Sequence, residues 1–161
     1  MSLELNVNGI THNLDISPDI PLLFVLRNHL GLTAAKLGCG LEQCGACAVI
    51  VDGESRLTCA EPAGSFQGKV IETAEALSEA PRTEALRAAL SRHAAAQCGY
   101  CLPGIFVALS ALFAREAAPD DTQIRTALSP HLCRCGAHAR VLRAAAELAA
   151  GPVQEPQHDH R

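Results

Sequence analysis

Two short pieces of this chain bring together side chains that can hold a metal: Gln97-Cys98-Gly99-Tyr100-Cys101 and Cys133-Arg134-Cys135. Four thiolates converging from two separated segments can wrap one soft metal centre. Disulfide chemistry fits poorly, because Cys133 and Cys135 are too close in sequence to bridge each other without strain. Structural zinc sites usually space paired ligands by two to four residues, and the single-residue gap around Arg134 departs from that. Iron–sulfur ligation by four cysteines tolerates varied spacing, so the pattern favours a cluster at Cys98, Cys101, Cys133 and Cys135.

The other four cysteines form a second constellation. Cys39, Cys44 and Cys47 are separated by four and then two residues, and Cys59 follows downstream. This is the spacing of plant-type [2Fe–2S] ligation. Gly38, Gly40 and Gly45 let the backbone curl around such a centre and turn its N–H groups toward an anionic cluster. A zinc loop, or a glycine-rich turn holding buried free thiols, is the blander reading of the same residues. No nucleophile–base pair, phosphate loop or dinucleotide fingerprint is present, so no bond chemistry is expected of this chain by itself.

Distinct elements must position the two quartets. Leu3, Leu5 and Val7 alternate as on a half-buried strand, Asn8-Gly9 supplies a tight turn, and Ile10, Leu14 and Ile16 continue on a return strand. Pro21 opens a helix through Leu22, Leu23, Val25, Leu26 and Leu30, with Gly31 as its cap. After the first three cysteines, a hairpin runs from Ala48 to Val51, turns at Asp52-Gly53 and returns from Ser55 to Cys59. Lys69 to Thr73 reads as a closing strand. The pattern then changes period, which places a domain boundary between Ala74 and Pro81. Helices are expected over Pro81 to Ala96, Gly104 to Arg115, Asp121 to Leu128 and Ala139 to Ala150. The third opens on a capping box formed by Asp120 and Gln123. The cysteine pairs fall at the helix junctions. The expected class is α+β, with an N-terminal ferredoxin-like domain over 1–76, a helical cluster-binding domain over 77–151, and a polar, disordered tail over 152–161.

Composition narrows the partners. The net charge of −4 and the lack of a basic block argue against nucleic acid. No apolar run reaches membrane-spanning length, and the N-terminus has no signal-peptide pattern, so a cytoplasmic location without membrane insertion is expected. The 48% hydrophobic content is rich in alanine, aromatics are only 3%, and there is no tryptophan. A core of small side chains buries little area per residue, and bound metal would add the stability such a core lacks.

Taken together, the two motifs resemble the small two-cluster iron–sulfur subunit of the molybdenum hydroxylases, the xanthine oxidase family. The likeness runs from about Leu3 to Ala150. It is carried most specifically by Gln97-Cys98-Gly99-Tyr100-Cys101-Leu102-Pro103-Gly104 with Leu132-Cys133-Arg134-Cys135. The resemblance implies a β-grasp ferredoxin domain followed by a four-helix bundle. It also implies a large partner subunit holding molybdopterin, as its cytosine dinucleotide, with Gln97 and Cys135 touching the pterin from this side. Electrons would pass from molybdenum through the cluster of Cys98, Cys101, Cys133 and Cys135 to that of Cys39, Cys44, Cys47 and Cys59. They would leave to an FAD subunit or a c-type cytochrome, while the assembled enzyme hydroxylates an N-heterocycle or oxidises an aldehyde. Leu41-Glu42-Gln43, Ala48 and Gly136-Ala137-His138 depart from the commonest family pattern. They resemble the branch acting on nicotinate or isoquinoline.

The remaining polar residues have modest expectations. His131 and His138 flank the second quartet, but four cysteines already fill that site, so both read as structural. Tyr100 reads as packing at the bundle edge, and Arg134 as a solvated or interface cation. His158 and His160 read as part of a solvated terminus. A two-site zinc or redox-sensing module and a stand-alone two-cluster ferredoxin are the competing readings. Iron content separates the zinc module, and a co-purifying molybdenum subunit separates the lone ferredoxin.

Overall fold

The computed structural model describes residues 2–151, and the tail with His158 and His160 lies outside the described residues. Strands β1 (Ser2–Val7) and β2 (Ile10–Asp15) form the first hairpin. Its turn is Asn8-Gly9, with φ of 55° and 78°. The left-handed region is accessible to asparagine and glycine, and this pair makes the tight hairpin geometry. Helix α1 (Leu22–Phe24) continues directly into a π-helical turn, Val25–His29. The second hairpin is β3 (Val49–Val51) and β4 (Glu54–Arg56), turning at Asp52-Gly53 with φ of 49° and 86°. Strand β5 (Val70–Glu72) closes the sheet.

The sheet order is β2-β1-β5-β3-β4, with β1 parallel to β5 and the other neighbours antiparallel. Asn8 secures the centre: its Oδ1 accepts from the Thr73 amide at 2.8 Å and its Nδ2 donates to Thr73 Oγ1 at 3.0 Å. Leu3, Leu5 and Val7 face a core with Leu22, Leu23, Val25, Leu26, Phe66 and Ile71. Ile10 does not join them and is 61% exposed, at the start of the edge strand β2, none of whose residues is fully buried.

Beyond β5 the chain is helical: α2 (Ala74–Glu79), α3 (Glu84–Arg92), α4 (Leu102–Arg115), α5 (Asp121–Leu128) and α6 (His138–Ala150). Helix α4 is the most buried. Its residues Gly104 to Leu112 lie inside, and it packs on α5, on α2 and on the β3–β4 hairpin. Helix α6 lies along α3, where Glu147 takes Arg92 and His93. Asp120 Oδ1 accepts from the Gln123 amide and Gln123 Oε1 accepts from the Asp120 amide, both at 2.8 Å, completing the expected capping box.

The segment from Ala74 to Glu79, for which no element was expected, is a helix, with Ala74 and Leu77 buried in the helical core. One expectation needs correction. The helix expected to reach Ala96 stops at Arg92. Ala94 takes φ 45°, and the Ala95 amide returns to the Leu90 carbonyl at 2.9 Å. That six-residue closure satisfies the last carbonyls and ends the helix. Strand β3 is buried on both faces. Val49 and Val51 point into the sheet–α1 core, while Ala48 and Ile50 point into the helical core.

Candidate metal centres

The first quartet sits between α1 and β3–β4, on a loop whose backbone is aimed inward. The Leu41 and Gln43 amides donate to Cys39 Sγ at 3.3 and 3.2 Å. Cys39 N donates to Cys44 Sγ, Glu42 N to Cys59 Sγ and Thr58 N to Cys47 Sγ, each at 3.3 Å. Gly40 and Gly45 reach this arrangement at φ of 69° and 75°, and Glu42 adopts φ 55° against its intrinsic preference. The Glu42 carboxylate is anchored by the Ala60 and Glu61 amides at 3.3 and 3.1 Å, which fixes that turn. Amides pointed at sulfur stabilise thiolate and, on a cluster, the added electron. Accordingly, the Gln43 and Leu41 amides bring the Cys39 thiol down to about 7. Burial pushes Cys59 up to about 11.

The second quartet lies where α3, α4, α5 and α6 hand over to one another. The Tyr100 amide lowers the Cys98 thiol, with Cys135 adding to the effect. Burial raises Cys101 to about 12. Burial also opposes ionisation of Cys133, but the Ala137 amide, 3.4 Å from its sulfur, and Cys101 outweigh it and lower that thiol. Cys98 and Cys135 sulfurs are 3.5 Å apart. Cys101 is also perturbed by its neighbour Cys133, Cys39 by Cys44, and Cys59 by Cys47. The four sulfurs of each quartet therefore lie close enough to perturb one another. Among the described residues no group of three or more His, Cys, Asp or Glu is arranged to hold a single metal ion.

The two centres share a seam. The Leu132 amide donates to the Cys44 carbonyl at 3.0 Å. Tyr100 Oη donates to the Leu37 carbonyl at 2.6 Å, so this tyrosine ties the two loops together beyond packing an edge. A Cβ on Gly104 would meet the Gly45 carbonyl oxygen at 2.1 Å, and one on Gly45 would meet His131 Nδ1 at 2.2 Å. His131 is only 3% exposed, neither ring nitrogen has a hydrogen-bond partner among the described residues, and burial followed by His138 pushes it down to about 4. It is a neutral wedge between the loops, consistent with the structural role expected of it. Gln97 is exposed, and its Nε2 donates to the Cys135 carbonyl at 2.9 Å. Sequence reasoning did not find the Glu42 anchor, the Tyr100 tether or the Gly45–Gly104 approach. All three are contacts between distant segments, with no local signature.

Comparisons with known proteins agree with both centres. Residues 5–80 match the family described as 2Fe-2S iron-sulfur cluster binding domain, and residues 73–146 match the [2Fe-2S] binding domain family. The chain is 43% identical over 143 residues to one of the subunits of nicotinate dehydrogenase from Pseudomonas putida, covering 89% of this chain and 91% of that protein. It is 37% identical over 127 residues to the alpha chain of isoquinoline 1-oxidoreductase from Brevundimonas diminuta, covering 79% of this chain and 83% of that protein. Among solved structures, quinoline 2-oxidoreductase from Pseudomonas putida 86 superposes with a TM-score of 0.85 at 32% identity, over 92% of each chain. The aldehyde oxidoreductase of Desulfovibrio gigas superposes with a TM-score of 0.84 at 34% identity, over 93% of this chain but 17% of that longer one.

Proposed function

Because this chain belongs to the family of two-cluster [2Fe–2S] subunits of the molybdenum hydroxylases, we propose that its eight cysteines are ligands in two sets. Cys39, Cys44, Cys47 and Cys59 hold one cluster, and Cys98, Cys101, Cys133 and Cys135 hold the other. The chain is the electron-transfer subunit of an oxidoreductase. Bound clusters supply one-electron redox chemistry, carrying electrons from the molybdopterin centre of a partner subunit toward an acceptor.

The chain's own residues make the two sites fit that use. The observation that carries the ligand assignment is the gathering of each quartet's sulfurs, with backbone amides directed at them. The sheet packed on α1, with β1 and β5 parallel at its centre, supports a β-grasp arrangement for the first domain, 1–76. Contacts of α3 with α6, α4 with α5 and α5 with α6 support a four-helix bundle for the second, 77–151. Gln97 and Cys135 face the pterin: both lie at one accessible edge of the second site, already joined by a hydrogen bond. The partner is a large molybdopterin-binding subunit, and the acceptor is an FAD subunit or a c-type cytochrome. The names nicotinate dehydrogenase, isoquinoline 1-oxidoreductase and quinoline 2-oxidoreductase support an N-heterocycle as substrate of the assembled enzyme. Among the described residues no helix is long and apolar enough to cross a membrane.

The test is elemental and spectroscopic. Anaerobically prepared protein is expected to carry two clusters of two irons each and to give two distinguishable EPR signals on reduction. Cys101→Ser is expected to damage one signal and spare the other. Zinc without iron, or loss of both signals in that variant, overturns the assignment.

A further inference from the structure

Residue 42 holds a backbone conformation that glycine takes without steric cost, yet it is a glutamate. Its φ is 55°, between Gly40 at 69° and Gly45 at 75° on the same loop. A side chain at such a position is a lead to function, because the surrounding structure has to hold the conformation in place. Here the contacts that hold it all go to one segment. The Glu42 amide donates to Cys59 Sγ at 3.3 Å, and Glu42 Oε1 accepts from the Ala60 and Glu61 amides at 3.3 and 3.1 Å. Cys59 lies seventeen residues further along the chain.

Cys59 depends on this contact more than Cys39 does on any single one. It is 5% exposed and receives the Glu42 amide, whereas Cys39 receives two amides, from Leu41 and Gln43. Burial raises the Cys59 thiol, and the Glu42 amide is the foremost group opposing that effect. The two amides that follow Cys59 in the chain are taken up by the carboxylate. That carboxylate has no cation on it. Among the described residues Arg56 pairs with Glu61, at 2.9 Å, and none pairs with Glu42. Glu42 is half-buried, so solvent screens its charge only in part. An anion beside a [2Fe–2S] centre works against the electron the centre takes up. Net charge and hydrogen bonds to the sulfurs are two of the factors that set a cluster's potential.

We propose that Glu42 is a positioning residue of the first centre and acts on it in two ways. Its carboxylate clasps the segment after Cys59, which keeps the Glu42 amide on the Cys59 sulfur. Its negative charge holds the potential of that centre below the value a neutral side chain would give. This rests on the reading of Cys39, Cys44, Cys47 and Cys59 as cluster ligands.

The test is a midpoint potential and an iron-release rate, measured on anaerobically purified protein with any co-purifying subunit retained. Cys101→Ser identifies the EPR signal of the first centre as the one it spares. Glu42→Gln keeps an oxygen for the two amides and removes the charge. Glu42→Ala keeps the Cβ, and so the same demand on φ, but removes both. Glu54→Gln is the control, an acid at the far end of the β3–β4 hairpin from Cys47 and Cys59. In EPR-monitored redox titrations the first centre's midpoint is expected to rise in Glu42→Gln and Glu42→Ala and to stay in place in Glu54→Gln. The second centre's midpoint is expected to stay in place in all three. Iron release to a chelator is expected to be about fivefold faster from Glu42→Ala, the factor that one net hydrogen bond is worth, and unchanged from Glu42→Gln. An unmoved midpoint in loaded Glu42→Gln, an equal shift in Glu54→Gln, or wild-type iron release from Glu42→Ala overturns the proposal. So does a Glu42→Gln chain that takes up no iron at the first centre, since the clasping oxygen is still present. A Glu42→Ala chain that keeps the second centre and loses the first bears out the clasp, and the Glu42→Gln midpoint then decides the charge. Wild type with iron for one cluster alone, and a single signal that Cys101→Ser abolishes, overturns the reading of the quartet itself, a failure visible before any Glu42 variant is made.

Discussion

Gly104→Ala puts one methyl group where two backbones meet. Gly104 lies in the first turn of α4, and the added Cβ would stand 2.1 Å from the Gly45 oxygen, 3.1 Å from its carbonyl carbon and 3.4 Å from Ala46 Cα. Real Cβ atoms essentially never come inside 3.0 Å, and none of these neighbours is a side chain that can swing away. The helix and the first cysteine loop must therefore part by roughly 1 Å, in an interior packed as densely as a crystal. Overpacking of this kind costs about 1–3 kcal/mol, and a rigid obstacle on both sides puts this case toward the upper end. The better helix propensity of alanine returns at most about 1 kcal/mol. A net loss of about 2 kcal/mol corresponds to a Tm lower by roughly 4–8 °C for a chain of this size. Thermal unfolding of iron-loaded wild type and variant measures it. The movement also pulls on the Leu132–Cys44 hydrogen bond, so the EPR signals of both reduced centres are expected to change together. A Tm equal to or above that of wild type refutes the reasoning, because propensity alone would then describe the site.

Other perturbations have expected outcomes of the same kind. Asp120→Ala removes the α5 cap and is expected to cost about 1 kcal/mol, read as a lower thermal midpoint; an unchanged midpoint would mean the box adds nothing. His131 refuses a proton down to about 4 when folded, against 6.5 for the unexceptional side chain. Below about pH 6.5 the unfolded chain binds a proton that the folded one does not, so stability falls as pH drops, by up to roughly 3 kcal/mol near pH 4. His131→Leu is expected to remove that slope, and parallel pH profiles for the two proteins would sink the idea. Gln97→Ala is expected to leave both EPR signals and slow electron entry in the assembled enzyme, whereas unaltered turnover would count against its contact with the pterin.

Local rules made much of this molecule readable. Asn8-Gly9 and Asp52-Gly53 set their turns because asparagine, aspartate and glycine tolerate positive φ, and Asp120 with Gln123 caps its helix through two neighbouring amides. The quartets were legible because all eight cysteines fall in closely spaced groups, which the fold brings together. Helix α2 was not. It is a single short amphipathic stretch, with Ala74 and Leu77 as its buried residues, and it holds because it docks against α4. The early end of α3 depends on Ala94 entering the left-handed region, which no alanine advertises. The His131–Gly45–Gly104 stack was invisible for a different reason: three separate segments meet there, and each looks ordinary alone.

Strand β3 gives the molecule an unusual mechanical indivisibility. One three-residue ribbon and the alanine before it lend alternate side chains to opposite interiors, so removing the helical portion would strip Ala48 and Ile50 of their cover. The two interiors are thereby coupled through one ribbon, so a local opening on either side of it exposes apolar surface belonging to the other.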